Sequence, residues 1–277
     1  MIQPKKLSII VLTYNWPEAL NLILEALSHQ TCDAFEVIVA DDGSSETTKA
    51  VIQNWIQKAN YPLLHSWHED RGFRASAARN LATLKAQGDY VVYLDGDCIP
   101  QKNFVKQHRA LAQPGYFVTG NRIFISQALT KNIIQRNDAV WEYPYRTWFK
   151  LFLQNHCNRS TPLLPIPLLN WMRQLNPTSL SGARSCNFGA WLKDLMHING
   201  WDESFQGWGF EDTDLILRLN FSGVKRKSGR FSVPVIHLWH PIEDRTSTDH
   251  NHTQLNELKH NPRIHAKIGL KELQPVN

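Results

Sequence analysis

The first hundred residues alternate between short β-rich runs and helical segments, and this order constrains the fold more than any other feature of the chain. Strands are predicted over 7–12, 35–40, 62–67 and 90–94. Helices are predicted from Pro17 onward, over 46–58 and over 75–86, where Gly88 ends the last one. Because such alternation implies right-handed crossovers, the predicted class is α/β: a Rossmann-like, mostly parallel sheet with helices on both faces.

Composition limits the class of protein. The 277 residues are 42% hydrophobic, enough for a core in one large or two fused domains. The net charge of +5 suits anionic partners, but no block of like charges indicates a nucleic-acid-binding tail. Cys32, Cys98, Cys157 and Cys186 are scattered, which favours a reduced setting over a disulfide framework. We recognise no signal peptide or spanning run and expect a cytoplasmic protein, with the inner face of the cytoplasmic membrane as an alternative site.

Polar residues follow three of the predicted strands directly. Carboxyl ends of parallel strands meet at one edge of a sheet, where ligands bind. Two Asp one residue apart, separated by a glycine, suit a hard divalent cation, and other carboxylates can accept a hydrogen bond from a base N–H. Each group alone is typical of a turn or cap. Together they predict a nucleotide pocket made by Thr13-Tyr14-Asn15, Asp41-Asp42 and Asp95-Gly96-Asp97.

A second group of acids follows a glycine-flanked tryptophan in Gly207-Trp-Gly-Phe-Glu-Asp-Thr-Asp214. The acids fall at the start of a helix predicted over 212–221 and ended by Gly223. Acids in a first turn are ordinarily explained by the helix dipole, and Asp214 is also placed to pair with Arg218. That explanation is weaker for Glu211 and Asp212. We predict Asp212 as a general base toward a substrate hydroxyl, Glu211 as the residue that orients the substrate, and Trp208 as a stacking surface.

These residues, in this order, resemble a family 2 glycosyltransferase of the GT-A fold. The matching segments are 8–15, 39–44, 71–80 and 94–100, and the Gly207–Asp214 segment, with 199–203 upstream, resembles a motif of β-galactosyltransferases and related hexosaminyltransferases. The resemblance implies that Asp42 reads uracil, that Asp95 meets the ribose and that Asp97 binds the metal. It extends the donor site to Thr13, Tyr14, Asn15, Arg71, Arg74, Gly96 and, in the segment 182–190, Asn187.

The resemblance also implies a histidine ligand after a late strand, predicted here over 231–238. Either His237 or His240 fits, and spacing does not choose between them. Imidazole favours a transition metal, so Mn²⁺ is expected rather than Mg²⁺.

The predicted organisation is a nucleotide-sugar-binding half over 1–105, an acceptor-side catalytic half over 106–240, and a tail over 241–277. The stretch 126–178 is predicted as a helical insertion. It mixes aromatic residues, among them Trp148 and Phe149, with arginines and lysines, and three interpretations stay open: core, an acceptor platform, or a membrane-surface patch. Residues 246–261 are predicted as a loop that closes over the donor.

The function expected from the whole is metal-dependent, inverting transfer of a hexose or N-acetylhexosamine from a UDP-sugar to a glycan or glycolipid acceptor. By analogy with the resembling group, the product is a bacterial surface polysaccharide or lipooligosaccharide. Two alternatives stay open: a retaining or non-UDP-sugar transferase of the same fold, and a nucleotide-binding protein without catalysis. The intact Asp97, Glu211 and Asp212 argue against the second.

Overall fold

Ten strands build two sheets in this computed structural model, which describes residues 2–182, 184–241 and 248–273. The four predicted N-terminal strands are confirmed to within one residue at each end. In chain order the strands are β1 (Leu7–Thr13), β2 (Phe35–Asp41), β3 (Leu63–Trp67), β4 (Tyr90–Asp95), β5 (Cys98–Pro100), β6 (Tyr116–Thr119), β7 (Arg122–Phe124), β8 (Asn187–Trp191), β9 (Lys225–Ser228) and β10 (Val235–His237).

The main sheet has the order β3-β2-β1-β4-β8-β6-β9. Strands β3, β2, β1 and β4 run parallel, whereas β8 is antiparallel to both β4 and β6. The parallel strands are apolar along nearly their whole length because helices cover both faces. The α/β, mostly parallel prediction is confirmed, and strands from both halves of the chain share this one sheet.

Helices lie on both faces of the sheet, as predicted. Alternate strand residues define two apolar layers: α1, α2 and α4 pack with Ile9, Val37 and Val92, and α3, α8 and α9 pack with Ile10 and Val91. The helices are α1 (Pro17–Ser28), α2 (Glu46–Lys58), α3 (Ala75–Leu84), α4 (Phe104–Leu111), α5 (Gln127–Arg136), α6 (Tyr145–Leu153), α7 (Asn170–Arg173), α8 (Leu192–His197), α9 (Glu211–Phe221), α10 (Thr248–His260) and α11 (Leu270–Leu273).

The small sheet, in the order β5-β10-β7, brings the end of the chain's last strand to the Asp-Gly-Asp turn. Strand β10 is antiparallel to β5, with His237 opposite Cys98. This pairing places a histidine from the C-terminal half next to Asp97.

Two predicted elements differ from the structure. The strand predicted over 231–238 is confined to Val235–His237, because Phe231 has a left-handed backbone (φ 65°) and the amides of Ser232 and Val233 turn back to the carbonyl of Gly229. The loop predicted over 246–261 is wrong for its described part, which is helix α10. Helical spacing of the buried Asn251, Leu255 and Leu258 explains this helix. Residues 246 and 247 lie outside the described residues.

The insertion over 126–178 contains α5, α6, α7 and two 3₁₀ turns (Val140–Glu142 and Thr161–Leu163). Trp141 and Trp148 are buried in the core, so the core interpretation holds for these two residues. Phe149, Phe152 and Trp171 of the same stretch are exposed. All four cysteines are free thiols, in agreement with the predicted absence of a disulfide framework.

Candidate active site

The ends of β1, β2 and β4 form one edge, which we call the donor edge and define by Thr13, Asp42, Asp95 and Asp97. The Asp42 amide donates to the carbonyl of Thr13 at 3.0 Å. The buried Asp42 carboxylate accepts a hydrogen bond from the amide of Arg74 at 2.9 Å, and Nε2 of His68 lies 2.9 Å from its other oxygen without hydrogen-bond alignment. The backbone of Arg74 thus belongs to this edge, and His68 is a neighbour that the sequence did not indicate.

The side chains of three other residues predicted to bind the donor form hydrogen bonds or ion pairs with other residues of the protein. Asn15 has a left-handed backbone (φ 46°), and its side-chain oxygen accepts from the amide of Ser45. The Tyr14 hydroxyl donates to Asp70 at 3.0 Å, and this hydrogen bond raises the pKa of the phenol. Arg71 is exposed and pairs with Glu69. The Asn15 oxygen and the Arg71 guanidinium therefore each have a partner within the protein.

A glycine is required between Asp95 and Asp97 because the backbone of β1 passes close to this position. A Cβ at Gly96 would lie 2.5 Å from the carbonyl oxygen of Leu12, so any larger residue would separate β4 from the end of β1. This contact places Asp95 and Asp97 beside Thr13.

Asp97 lies beside both candidate histidines. Its Oδ2 is 3.4 Å from Nε2 of His237 and 3.1 Å from Nε2 of His240. The three candidate ligand atoms lie within 4.8 Å of one another. Although burial would raise the pKa of Asp97, the two imidazoles hold it below its usual range.

The second nitrogen of each imidazole is fixed by the backbone. Nδ1 of His237 lies 2.7 Å from the carbonyl of Leu238, and Nδ1 of His240 lies 2.7 Å from that of Pro241. Each contact makes Nδ1 the donor to a backbone carbonyl and turns Nε2 toward Asp97. Protein metal sites fix ligating histidines in this way, so one carboxylate and two imidazoles fit a divalent transition metal. The spacing left His237 and His240 as alternatives, but the structure brings both together.

The second part of the site, residues 206–212, is called the acceptor loop. Gly207, Gly209 and Phe210 have left-handed backbones (φ 71°, 110° and 71°), and Trp208 between them is 38% exposed. Helix α9 begins at Glu211, so the acids fall at its N-terminus as predicted. Asp214 is fully buried in an ion pair with Arg218 at 2.6 Å, which confirms the structural explanation for that acid.

Arg79 joins the donor edge to the acceptor loop. Its Nη2 donates to Asp95 at 3.0 Å and to the Ser185 hydroxyl at 3.1 Å, and its Nη1 lies 3.9 Å from Oε1 of Glu211. The guanidinium also lies over the ring of Trp201, 4.7 Å from its centroid. Sequence reasoning included Arg79 in a matching segment but gave it no role. Its position directly after Ala77 and Ala78, on a helix that must pack against a sheet, was the available signal of a buried cation.

Burial raises the pKa values of two acids that lie beside Arg79. Desolvation raises the pKa of Asp95, against the opposing charge of Arg79. Burial, and then the neighbouring Asp212 carboxylate, raise the pKa of Glu211 to about 7. Oε2 of Glu211 and Nη1 of Arg79 are buried without a hydrogen-bond partner among the described residues. Unpaired buried polar atoms of this kind are uncommon, and a ligand's hydroxyl groups would satisfy them.

Asp212 follows Glu211 in the first turn of α9 and has different polar neighbours. Its Oδ1 accepts from the hydroxyl of Thr213 at 3.2 Å, and its Oδ2 lies 3.8 Å from Nε of Arg184. The Asp212 side chain is 13% exposed, so this carboxylate beside a cation stays accessible for proton transfer to or from a bound hydroxyl.

Asn187, at the start of β8, is used inside the protein. Its amide nitrogen donates to the carbonyl of Val233, and its oxygen lies 3.1 Å from Nε2 of the buried His108. With both ends of the amide bound and the residue 1% exposed, the structure does not bring this side chain to the donor edge.

Sequence comparisons identify what the chain resembles. Residues 8–163 match the model of glycosyl transferase family 2, and residues 172–251 match the model described as the N-terminal domain of galactosyltransferase. The chain is 37% identical over 271 residues to the uncharacterized glycosyltransferase YfnE of Bacillus subtilis, covering 88% of this chain and 67% of that protein. It is 29% identical over 229 residues to the chondroitin synthase of Pasteurella multocida, covering 78% of this chain but 23% of that longer protein.

Solved structures share the fold. S. aureus TarS 1–349 in complex with UDP has a TM-score of 0.61 at 15% identity, covering 96% of this chain and 68% of that one. GalNAc-T7 with UDP, GalNAc and Mn²⁺ has a TM-score of 0.61 at 14% identity, covering 92% and 48% respectively. Both are glycosyltransferases of the GT-A fold, and this likeness confirms the predicted fold.

Proposed function

Since the chain belongs to glycosyl transferase family 2 and is a glycosyltransferase, we propose that it transfers a hexose or N-acetylhexosamine from a UDP-sugar to a glycan acceptor, with inversion. The observation that carries this proposal is Arg79, which contacts Asp95 of the donor edge and lies beside Glu211 of the acceptor loop. A nucleotide-binding protein without catalysis does not need a buried cation joining a strand-end acid to a second pair of acids.

The donor edge is assigned to the nucleotide. In this proposal Asp42 accepts the uracil N–H and Asp95 accepts a ribose hydroxyl, while Thr13 and Gly96 form the backbone wall between them. Glu211 and Arg79, with their unpaired buried atoms, hold hydroxyls of the transferred sugar. The structure of similar fold that contains UDP supports this assignment at the level of the fold.

Asp97, His237 and His240 are assigned to a divalent metal, with Mn²⁺ favoured over Mg²⁺ because two of the three donors are imidazole nitrogens. When bound, the cation would neutralise the charge that develops on the departing diphosphate. The protein's part is to present three preoriented ligands, two of them fixed through their Nδ1 contacts.

Asp212 is assigned as the general base. Its carboxylate takes the proton of the acceptor hydroxyl while the hydroxyl oxygen bonds to the anomeric carbon and the bond from that carbon to the diphosphate oxygen breaks, the electron pair leaving with UDP. Trp208 stacks on the acceptor sugar. Attack from the face opposite the leaving group inverts the anomeric carbon.

We also propose that the acceptor is a bacterial surface glycan or glycolipid assembled at the anionic inner face of the cytoplasmic membrane. None of the helices over 2–182, 184–241 and 248–273 is long and apolar enough to cross a bilayer. Large apolar side chains are nevertheless exposed in the insertion; we call them the insertion surface and define it by Phe149, Phe152, Leu153, Leu169, Trp171 and Leu175.

Charge supports a membrane location for the insertion surface. The sequence has no Asp or Glu between Glu142 and Asp194, yet it has six Arg or Lys there. An apolar surface within an acid-free, basic segment matches the surface of a bilayer that contains anionic lipids.

The test is a screen for UDP release from UDP-glucose, UDP-galactose, UDP-GlcNAc and UDP-GalNAc, with p-nitrophenyl hexosides as acceptors. We expect Mn²⁺ to stimulate release from at least one donor and EDTA to abolish it. The Asp97→Ala variant should lose Mn²⁺-dependent UDP binding in calorimetry, whereas Asp249→Ala, which removes an exposed acid, should keep it. Unchanged metal-dependent UDP affinity in Asp97→Ala would show that the metal assignment is wrong.

A further inference from the structure

Helix α10 presents one buried amide to the acceptor loop. Asn251 is 0% exposed, and its Nδ2 donates to the carbonyl of Gln206 and to the carbonyl of Gly209, each at 3.0 Å. These two carbonyls bracket Trp208 on either side. One side chain from a distant part of the sequence thus holds both ends of the turn that carries the tryptophan.

Neighbouring residues of α10 contact the same stretch of chain. The Gln254 amide donates to the carbonyl of Ser204 at 3.1 Å and accepts from its hydroxyl at 3.0 Å. The ring of His252 packs against Phe210, with centroids 5.3 Å apart. Helix α10 therefore contacts the loop at several points along its length and supports it.

The acceptor loop needs such support because its backbone is intrinsically unfavourable. Phe210 is not a glycine yet has a left-handed φ angle, which persists only where the surroundings fix it. Gly207 and Gly209 adopt their positive φ angles without strain, but as glycines they have many other conformations open to them. Both hydrogens of one amide nitrogen are needed to serve two carbonyls, and a carboxylate of the same size would repel them. The Asn251 oxygen has no hydrogen-bond partner among the described residues, so the donors carry the role of this side chain.

We propose that Asn251 is a positioning residue for acceptor recognition: through the Gln206 and Gly209 carbonyls it fixes Trp208, and with it the entry into α9, in the geometry that binds the acceptor sugar. The proposal rests on the function proposed for Trp208 and Asp212. Asn251 contacts neither the donor edge nor the metal ligands in the described hydrogen bonds, so nucleotide binding should not depend on it.

The test compares Asn251→Asp with Asn256→Asp, a matched control on the same helix whose side chain bonds only within α10. In Asn251→Asp we expect the KM for the p-nitrophenyl hexoside to rise about tenfold, the scale of lost hydrogen bonds to a buried amide, with a smaller change in kcat. The UDP affinity measured with Mn²⁺ should stay within about twofold of the parent. Equal acceptor KM in both variants would overturn the proposal.

Hydrogen exchange provides a readout that does not need turnover. Amides over 206–212 should exchange faster in Asn251→Asp than in Asn256→Asp, while those of α3 should not change. If the wild-type chain showed no transfer, the proposed function would fail, but this exchange difference would still decide the role of Asn251. Should Asn251→Asp fail to fold, Asn251→Ala removes both donors without adding charge, and unaltered exchange over 206–212 in that variant would overturn the proposal.

Discussion

The donor edge and the acceptor loop both hold polar groups at the site, but different interactions fix the backbone of each. The donor edge takes its geometry from the three parallel strands β2, β1 and β4, whose register places the residues at their ends, Thr13, Asp42 and Asp95, side by side. The acceptor loop has no such frame. Its left-handed residues are held by contacts with Asn251, Phe73 and His252, which are far away in sequence.

This difference has consequences for function. Strand ends inside a buried sheet are rigid, which suits a nucleotide whose shape does not vary. A loop held by a few side-chain contacts can differ between relatives without disturbing the core, which suits a variable acceptor. Arg79 is the point where the two regions meet, so changes there should affect both.

The largest expected effect separates the roles of the two regions. Replacing Asp212 with Asn keeps the shape of the side chain but removes its ability to take a proton, so kcat should fall roughly 10²-fold or more. UDP affinity measured by calorimetry should not change, because the donor edge is intact. Asp249→Asn, at the exposed first turn of α10, is the control. Near-normal turnover of Asp212→Asn would move the base to Glu211 or remove the inverting mechanism.

The next effect tests the connection between the regions. Arg79→Lys keeps the positive charge but loses the forked guanidinium, in which one nitrogen bonds Asp95 and Ser185 while the other lies beside Glu211. We therefore expect kcat/KM to fall about tenfold or more. Both UDP affinity and acceptor KM should weaken. Arg136→Lys, at an exposed arginine in the last turn of α5, should behave like the parent. A defect confined to one substrate in Arg79→Lys would mean that the two regions act independently.

A smaller effect concerns the insertion surface, which belongs to neither region. The protein should co-sediment with vesicles containing phosphatidylglycerol, and added salt should weaken this binding several-fold. Phe149 and Leu153 are 44% and 64% exposed, so replacing both with Ser should weaken it further while UDP binding persists. Trp148 is unsuitable because it is 1% exposed and supports the core. Phe221→Ser, an exposed site on α9, is the control, and equal binding by both variants would contradict the proposed surface.

The smallest effect is on stability and uses the raised pKa of Glu211. The pKa of Glu211 is about 7 in the folded protein and near 4.5 in the unfolded chain. Between these two pH values the carboxyl group is protonated in the folded protein and ionised in the unfolded chain. The resulting stabilisation is complete at low pH and is lost as pH rises through about 7. The melting temperature of the parent should therefore fall relative to that of Glu211→Gln by a few degrees as the pH rises from 5 to 8. A constant difference across this range would place the Glu211 pKa near its ordinary value.

The same contrast explains what could be predicted from sequence. Contiguous apolar runs set β1, β2 and β4, and the polar residues at their ends were consequently found. The role of Arg79 was missed, and the donor role of the Asn187 side chain is not supported, because burial of a charge or an amide depends on packing across the sheet rather than on local pattern. The sequence predicts a loop where α10 lies, because its polar, histidine-rich residues show little beyond Leu255 and Leu258 to mark a buried face.

The central claim, that the acceptor hydroxyl is activated by Asp212 on the face opposite the departing UDP, is tested most directly by the configuration of the product. Proton NMR of the glycoside formed from an α-linked UDP-hexose of the gluco or galacto series reports the coupling constant of its anomeric proton. An inverting transfer gives a β-glycoside, with the large coupling of two axial protons. An α-glycoside as the initial product would contradict it and would require a retaining mechanism at this site.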